Sequence, residues 1–501
     1  MKTKLLTTCL LLLASSVHLS LARAELVIRD IEVIDLGTIR PGTNSWASDI
    51  NDAGNIVGSS QTQPGGSNRA FITYSGLVGL GMINIGAFRG GDSGGAYGIN
   101  ELDQVVGTSL IGEQDSYGNE VRRGFIWEYG SAMRDLGSLR SYRGVIFSST
   151  ASAINNIGQI SGSVGRYGAV WDLFAFPDHI DFPHHTRLSD MDSIAPRFVR
   201  DINNSGQVVG LHRSADTGFR WQAGVFEELA SDIEGISPAS GIYGSSASGI
   251  NELGEVVGNI SVWDGSEVYT HATFWSDPST VKDLGTLGGK DSEAYDINDF
   301  GTVIGSSEIA TGETRAFVWH ADFGMQSLGT LGGDYSIARG INSTGQIVGT
   351  SETASGERHA TLWKVTYGIA LDIDIRPRRV RNTISPLSSR NISVVIFSRD
   401  DVDPLSLDLE TLSLGDKEGN ETGIAREKSG KNKGNPLTEI KDVDNDGKDD
   451  LILYFSIPEL VANKDINKNS KQLYLQGNSF DRGPVLGVDK VIVKKPKQLF
   501  Y

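Results

Sequence analysis

Four aspartates near the C-terminus have the types and spacing of a metal site. They are Asp442, Asp444, Asp446 and Asp450, in the run DVDNDGKDD. Carboxylates at alternate positions of a tight loop converge, and hard oxygen atoms are the ligands that Ca²⁺ prefers. The run matches only the first half of an EF-hand calcium loop, because leucine stands where the bidentate glutamate would be. We predict a Ca²⁺ site at these four residues, with a solvated acidic turn as the alternative.

A second group of side chains suits an organic ligand. The segment Asn259–Tyr269 contains Trp263, Asp264 and Tyr269. Aromatic rings beside carboxylates can stack on sugars or hold a cation, and loops that vary on a fixed scaffold are where binding residues usually lie. We predict a ligand site at these three residues. The alternative is a solvated insertion without function.

No recognised catalytic signature is present in the sequence. The segment Asp172–Leu188 is rich in His and Asp, including His179 and His184, but lacks the ligand spacing of known metal sites. The chain also has no Asp-box, Ser/His/Asp signature or metalloprotease helix. We favour a secreted binding or interaction protein. An extracellular hydrolase or lyase acting on glycans and a structural surface or matrix protein stay open as alternatives.

Most of the chain is one repeated unit. Its best-matched copies are DLGTLGGKDSEAYDINDFGTVIGSSEIATGETRAFVW, from Asp283, and SLGTLGGDYSIARGINSTGQIVGTSETASGERHATLW, from Ser327. Every copy has an asparagine followed three residues later by glycine, or once by Asp103, and then usually by an apolar pair and glycine. These asparagines are Asn51, Asn100, Asn155, Asn203, Asn251, Asn298 and Asn342, spaced 49, 55, 48, 48, 47 and 44 residues apart.

Each copy contains four short candidate strands separated by turn residues. Asn-x-x-Gly supplies turn chemistry, because Asn can bond its own backbone and Gly can take a positive φ, so we interpret both residues as scaffold. Four antiparallel strands in a period near 48 residues predict an all-β fold, with a seven-bladed β-propeller over residues 25–367. A β-solenoid is the alternative, but its repeats are typically shorter and would not need four turn signals.

Tryptophan recurs at one place in successive copies. The residues are Trp127, Trp171, Trp221, Trp275, Trp319 and Trp363, with Thr73 at that place in the first copy. We expect these large rings to fill the space between blades. No Leu-Gly strand follows Trp363, whereas an unpaired one precedes the first copy, at Ile31–Gly37. We therefore expect the N-terminal strand to complete the last blade and close the ring.

The repeats over about residues 31–364 resemble the HAF-repeat family of extracellular bacterial proteins, named for a His-Ala-Phe tripeptide. The combination of LGTLGG, IN-x-x-G and VVG carries the resemblance. The triplet begins at His271, His359, Arg315 and Arg69, and is looser in the other copies. The resemblance implies secretion and a β-rich repeat fold, and it brings no established activity. Because the histidine varies, a shared catalytic or metal role for it is disfavoured.

The repeat period stops near Gly368, and residues 368–501 form a second predicted domain. Segments of this domain resemble a C-terminal β-sandwich module found on many secreted bacterial proteins. They begin with Ile373–Pro377 and Asn382–Pro386 and continue with Val394–Phe397 and Leu412–Gly415. Strands rich in Ile, Val, Leu and Phe between turn residues agree with a sandwich. The resemblance implies a β-sandwich-like domain, which would carry the predicted calcium loop.

The first 24 residues have the pattern of a secretory signal. Lys2 and Lys4 precede the apolar run Leu5–Leu13, and Ala22-Arg23-Ala24 is a small-x-small cleavage site. The run is shorter than the roughly 20 residues that span a bilayer, so we expect no membrane span once the signal is removed. The only cysteine, Cys9, lies in this segment, so the mature protein has no disulfide. We expect an extracellular or periplasmic location.

The formal net charge of the chain is −17. The excess lies before residue 370, because residues 370–501 contain 21 basic and 21 acidic side chains. Such a surface repels nucleic acid and anionic membranes and favours cations, cationic partners or neutral ligands. The expected partner is therefore an extracellular ligand of unknown identity, a glycan or a protein, and no nucleic acid.

Overall fold

A computed structural model describes most of the chain from residue 26 to residue 494. The described residues are 26–75, 81–115, 118–137, 147–165, 167–173, 185–187, 196–212, 217–231, 242–263, 266–377, 382–399, 402–416, 422–426, 433–467, 469–479 and 483–494. They fall into two compact units: the repeat unit, Ile28–Thr366, and the C-terminal unit, which comprises Tyr367–Tyr501 and the residues up to Val27.

The fold is all-β, as predicted, and propeller-like in the repeat unit. After the N-terminal strand β1 (Leu26–Asp35), six four-stranded antiparallel sheets follow in chain order. Sheet 1 has β2 (Ser45–Ile50), β3 (Ile56–Gln61), β4 (Asn68–Thr73) and β5 (Ile83–Gly86). Sheet 2 has β6 (Gly94–Ile99), β7 (Val105–Gln114), β8 (Glu120–Trp127) and β9 (Arg134–Asp135). Sheet 3 has β10 (Ser149–Ile154), β11 (Gln159–Val164), β12 (Tyr167–Asp172) and β13 (His185–Arg187).

The later sheets repeat the same order. Sheet 4 has β14 (Pro196–Ile202), β15 (Val208–His212), β16 (Gly218–Gln222) and β17 (Val225–Glu228). Sheet 5 has β18 (Ile242–Ile250), β19 (Val256–Trp263), β20 (Val268–Asp277) and β21 (Thr280–Asp283). Sheet 6 has β22 (Gly288–Ile297), β23 (Val303–Ile309), β24 (Thr314–His320) and β25 (Gly324–Ser327). The strands β26 (Gly332–Ile341), β27 (Gln346–Thr353) and β28 (Arg358–Leu371) come next, and β1 pairs with β28; we call these four strands sheet 7.

The apolar pair of each repeat is buried because both faces of its strand are covered. Ile56 packs in the core that sheet 1 shares with sheet 7, whereas Val57 packs in the core shared with sheet 2. Successive side chains of a strand point to opposite faces, so a strand packed on both faces needs consecutive apolar residues. The tryptophans extend these cores: Trp171, Trp275 and Trp363 are fully buried. The main cores of the repeat unit therefore lie between neighbouring sheets.

Every first strand of a sheet contains a β-bulge at the same place, next to the glycine that follows the apolar pair. In sheet 1 the register shifts between Ala47 and Asp49, so Ser48 is the extra residue. A Cβ on Gly58 would lie 2.0 Å from the carbonyl oxygen of Trp46, so only glycine leaves room for the bulged strand. The equivalent residues are Ser48, Tyr97, Ser152, Arg200, Ser248, Tyr295 and Arg339. Bulges of this kind re-aim side chains.

The repeated asparagines form a closed cycle of hydrogen bonds. Each Asn donates from Nδ2 to the backbone oxygen of the corresponding Asn in the next sheet, at 2.9 to 3.2 Å, and Asn342 donates to Asn51. Each Oδ1 accepts the backbone N–H four residues later, at 2.8 to 3.1 Å. All seven side chains are buried. Asn therefore holds its own turn and joins the first strands of neighbouring sheets, which we call the inner strands. This exceeds the turn role that we predicted.

The C-terminal unit is built from two main sheets that share one core. Its strands are β28 at Ile369–Leu371, β29 (Ile373–Ile375), β30 (Thr383–Ile384), β31 (Asn391–Ile396), β32 (Leu407–Gly415), β33 (Thr422–Gly423), β34 (Thr438–Lys441), β35 (Asp450–Ser456), β36 (Gln472–Ser479), β37 (Gly483–Lys490) and β38 (Ile492–Val493). One sheet has the order β29-β31-β35-β34, and β37, β36, β32 and β33 continue from β28 in the other. The helix α1 (Ile457–Ala462) is capped by Ser456. No helix in the described part is long and apolar enough to cross a membrane.

Removing one asparagine of the cycle should destabilise the protein more than removing its neighbour. Asn203→Ala leaves the N–H of Gln207 without its bond and removes one of two bonds to the carbonyl of Asn251, which still accepts from the N–H of Gly254. Leaving one N–H unsatisfied and losing a second, buried hydrogen bond costs about 2 kcal/mol in the free energy of unfolding. Asn204→Ala removes an exposed bond to the N–H of Asn156 and should cost less than about 1 kcal/mol. Equal losses in urea titrations of the full chain would contradict the structural role of the cycle.

Candidate functional site

The seven bulged side chains meet in one cavity of about 640 Å³ in the repeat unit. All seven line it. The rest of the described lining comes from the same inner strands, with Trp46, Ala47, Thr150, Tyr335 and Ile337, and from the second strands, with Ser59 and Thr350. Apart from Ser59 and Thr350, the lining residues precede the Asn of their repeat, so the cavity lies toward the start of the inner strands. We call it the axial cavity.

The axial cavity is polar and aromatic. Its lining has four large rings, from Trp46, Tyr97, Tyr295 and Tyr335, and six hydroxyl groups from Ser and Thr. Arg200 and Arg339 supply its positive charge, and both side chains are exposed. The guanidinium of Arg339 lies over the ring of Tyr295, at 4.1 Å from its centroid. Such a surface can stack on a planar face, donate hydrogen bonds to hydroxyl groups and bind an anion.

A layer of aspartates follows the bulged residues. Asp49, Asp201 and Asp296 come from sheets 1, 4 and 6, and each carboxylate accepts two backbone N–H groups. Asp49 accepts from Ile50 at 2.8 Å and from Ile99 of the next inner strand at 2.9 Å. The other two repeat this arrangement with Ile202 and Ile250, and with Ile297 and Ile341. The layer therefore bridges three pairs of neighbouring sheets.

Burial changes the acidity of this layer. Removal from water raises the pKa of Asp49 to about 7 and that of Asp201 to about 6, although the backbone amides lower both. Burial also raises the pKa of Asp296 well above its ordinary value, and the charges of Asp201 and Asp49 add to the effect. Carboxylates from sheets 1, 4 and 6 influence one another in this way because they converge on a common axis.

The predicted ligand residues lie elsewhere. Trp263 is the last residue of β19 and lies opposite Val268 of β20. Tyr269, also in β20, pairs with Val262 of β19. The ring of Tyr269 packs against the core of sheet 5 and against His271, with ring centroids 5.0 Å apart. Asp264 lies outside the described residues. Neither Trp263 nor Tyr269 is among the residues that line the axial cavity, and the ligand site at these three residues stays a prediction.

Three of the four predicted metal ligands lie together. Asp442, Asp444 and Asp450 each offer a carboxylate oxygen, and these atoms lie within 4.8 Å of one another. Asp450 is fully buried and accepts from the N–H groups of Ser398 and Val443, whereas Asp446 accepts from Lys448. Three convergent carboxylates suit a divalent cation with oxygen ligands, so the donor set fits Ca²⁺. Asp446 is not part of this group.

A second cavity lies in the C-terminal unit and has a different electrostatic character. It measures about 450 Å³ and includes Leu409, Ile424, Glu410 and Arg426 in its lining. The Arg426 guanidinium donates to Glu410 at 2.6 Å and also to the carbonyl oxygen of Gly434. Its cation is therefore already paired, whereas Arg200 and Arg339 of the axial cavity form no ion pair within the described residues.

The residues of the axial cavity were missed by the sequence analysis, although one signal was present. The seven copies are recognisable by the residues that they share, whereas the bulged position differs from copy to copy. The glycine after the apolar pair marks the bulge, because its missing side chain leaves room for the inner strand. Of the His- and Asp-rich segment Asp172–Leu188, residues 174–184 and 188 lie outside the described part.

Comparisons with known proteins identify no family. No family model and no curated protein matches the chain. Solved structures that match include a gluconolactonase of Xanthomonas campestris, at 10% identity over 70% of this chain and 93% of that one, with a TM-score of 0.32. An acylaminoacyl peptidase of Pyrococcus horikoshii matches at 10% identity over 72% and 59%, with a TM-score of 0.37. The Aleuria aurantia lectin matches at 10% identity over 57% and 94%, with a TM-score of 0.28. Likenesses this distant say nothing about the activity of this chain.

The aspartate layer predicts a specific pH dependence of stability. Because folding raises the pKa of Asp49 from 3.8 to about 7, its contribution to stability is full below pH 3.8 and is lost as the pH rises through 7. Asp49→Asn removes this titration. The free energy of unfolding of the variant minus that of wild type should therefore be larger at pH 8 than at pH 5, so the variant gains stability relative to wild type as the pH rises.

The matched control is Asp92→Asn, which changes an exposed carboxylate. The free energy of unfolding of this control should differ from that of wild type by the same amount at both pH values. A difference for Asp49→Asn that also stays constant between pH 5 and pH 8 would contradict the raised pKa.

Proposed function

We propose that this protein is a secreted binding protein, in which a seven-bladed β-propeller holds a small polar ligand in its axial cavity. The single observation that carries the proposal is the convergence of all seven bulged side chains on one cavity. A bulge repeated at every inner strand places variable side chains on an invariant scaffold, and this arrangement is typical of binding sites.

Sevenfold closure has independent support. The Asn cycle runs through all seven copies and returns from Asn342 to Asn51. The strand β1 adds to the last sheet, where Asp35 accepts from His359 at 2.9 Å and Glu32 lies 3.7 Å from Lys364. Pairing the first strand with the last sheet removes exposed edges, which is the function of ring closure.

The chemistry of the cavity favours binding over catalysis. Aromatic rings, hydroxyl groups and arginines account for most of its described lining, and its volume falls in the range of about 300 to 1,000 Å³ that is usual for ligand pockets. The repeat motifs that resemble the HAF-repeat family support an extracellular role, as does the N-terminal signal pattern. Both stay predictions.

We infer that the C-terminal unit is a β-sandwich-like module stabilised by Ca²⁺. Its two main sheets contribute to a single core, with Ile373, Val394 and Leu453 from one sheet and Leu414 and Leu475 from the other. The metal would be held by Asp442, Asp444 and Asp450, at the loop before β35. Its charge would offset the mutual repulsion of these carboxylates.

Ligand binding should depend on the axial cavity. A panel of neutral and acidic oligosaccharides is titrated calorimetrically into the full chain and into Tyr97→Ala, which removes a ring from the cavity. Loss of a central aromatic contact weakens binding by about 2 kcal/mol. The control Tyr129→Ala removes a ring that is 77% exposed and lies outside the cavity, so it should bind like wild type. If Trp263→Ala weakens binding and Tyr97→Ala does not, the ligand site is the loop and not the axial cavity.

Calcium should raise the melting temperature of the C-terminal unit. An ion that binds only the folded state adds about 2.7 kcal/mol at a concentration of 100 Kd. Calorimetry of the full chain in millimolar Ca²⁺ and in chelator measures the shift. Asp444→Ala should abolish it, whereas Asp446→Ala, outside the carboxylate group, should retain most of it. An equal calcium shift in wild type and Asp444→Ala would contradict the site.

A further inference from the structure

We propose that the ligand of the axial cavity is an acidic oligosaccharide that carries carboxylates on two of its sugar rings. Arg339 would bind one carboxylate and Arg200 the other, with sugar faces against the aromatic side chains. The inference rests on the proposed function, because it names the class of ligand for the same cavity. It departs from the expectation of a neutral or cationic ligand that the net charge suggested.

Arg339 is held in a position to bind a carboxylate. Its guanidinium stacks on Tyr295, and the Tyr295 hydroxyl donates to Glu293 at 2.7 Å, which fixes the ring. Stacking uses the face of the guanidinium and leaves its edge, with paired N–H groups, for an incoming anion. Within the described residues, Arg339 has no ion pair. An oriented guanidinium binds a carboxylate with two parallel hydrogen bonds at little further cost in side-chain entropy.

Arg200 supplies a second positive charge on another side of the cavity. It is the bulged residue of sheet 4, three sheets away from sheet 7 in the cycle of seven. Its side chain is exposed and, within the part of the chain that the structure describes, makes no hydrogen bond or ion pair. Two unpaired arginines in an otherwise acidic protein indicate a ligand with two anionic groups rather than a neutral one.

The rest of the lining suits a saccharide better than other anionic ligands. Six hydroxyl groups from Ser and Thr can donate to and accept from a polyhydroxylated ring. Trp46, Tyr97 and Tyr335 offer planar surfaces for the C–H faces of sugars. Among the described lining residues only Ala47 and Ile337 are aliphatic, so this lining does not favour an apolar acid.

The test compares saccharides of equal length by calorimetry with the full chain. Tri-galacturonate should bind at least about tenfold more tightly than neutral maltotriose, because charge-assisted hydrogen bonds are the stronger kind. Arg339→Ala should lose about tenfold or more in affinity for tri-galacturonate, and Arg339→Lys should recover only part of it. Arg200→Ala should weaken tri-galacturonate more than it weakens monomeric galacturonate.

The matched control is Arg122→Ala. Arg122 lies on β8, has an exposed side chain and does not line the cavity. Its removal should leave the affinity for tri-galacturonate within about twofold, a change too small for a lost charge-assisted bond. Thermal melting confirms that every variant is folded, so that a loss of binding cannot be the result of unfolding.

The outcomes separate this inference from the proposed function. If maltotriose binds as tightly as tri-galacturonate and depends on Tyr97, the binding function stands and the acidic ligand is wrong. If a sulfated trisaccharide binds more tightly than tri-galacturonate, the arginines recognise sulfate and the carboxylate assignment is wrong. If no saccharide of any charge binds wild type, both proposals fail.

Discussion

The side-chain amide of one asparagine per repeat is the interaction on which the repeat unit depends. Its Oδ1 closes a turn within one sheet, and its Nδ2 reaches the backbone of the next sheet. Because the same residue satisfies a local and a long-range requirement, the inner strands cannot shift without breaking a buried hydrogen bond. The cycle from Asn51 to Asn342 and back thereby joins the first strands of consecutive repeats, and of the last repeat and the first, by buried hydrogen bonds.

The axial cavity is a consequence of this arrangement. Glycine after the apolar pair allows each inner strand to bulge, and the bulge turns one side chain per repeat toward the axis. One residue further along, each repeat has Asp or a small residue such as Gly340, where a Cβ would lie 2.9 Å from the Cα of Asp49. The scaffold thus accommodates Ser, Tyr or Arg at the bulged position and only Asp, Gly or Ala beside it, which separates the lining of the cavity from the residues that join the sheets.

The sequence predicted those features that depend on local chemistry and are repeated. The all-β class, the four strands per repeat and the buried tryptophans follow from turn residues and apolar periodicity, and the positive φ of 59° at Asp103 agrees with its role in place of Gly. The axial cavity could not be predicted this way, because convergence of Tyr97, Arg200 and Arg339 depends on how distant copies are arranged. Likewise, the acidic loop was visible as a pattern, but the sequence could not show which carboxylates meet: oxygen atoms of Asp442, Asp444 and Asp450 lie within 4.8 Å of one another, and Asp446 accepts from the N–H of Lys448.

An experimental density map of the axial region tests the central claim most directly. The account predicts seven sheets around one axis, with each asparagine Nδ2 within hydrogen-bonding distance of the next asparagine carbonyl oxygen and Asn342 bonded to Asn51. It also predicts that Ser48, Tyr97, Arg200 and Arg339 border one common cavity. An open array, a different number of sheets in the ring, or separation of Asn342 from Asn51 would contradict it.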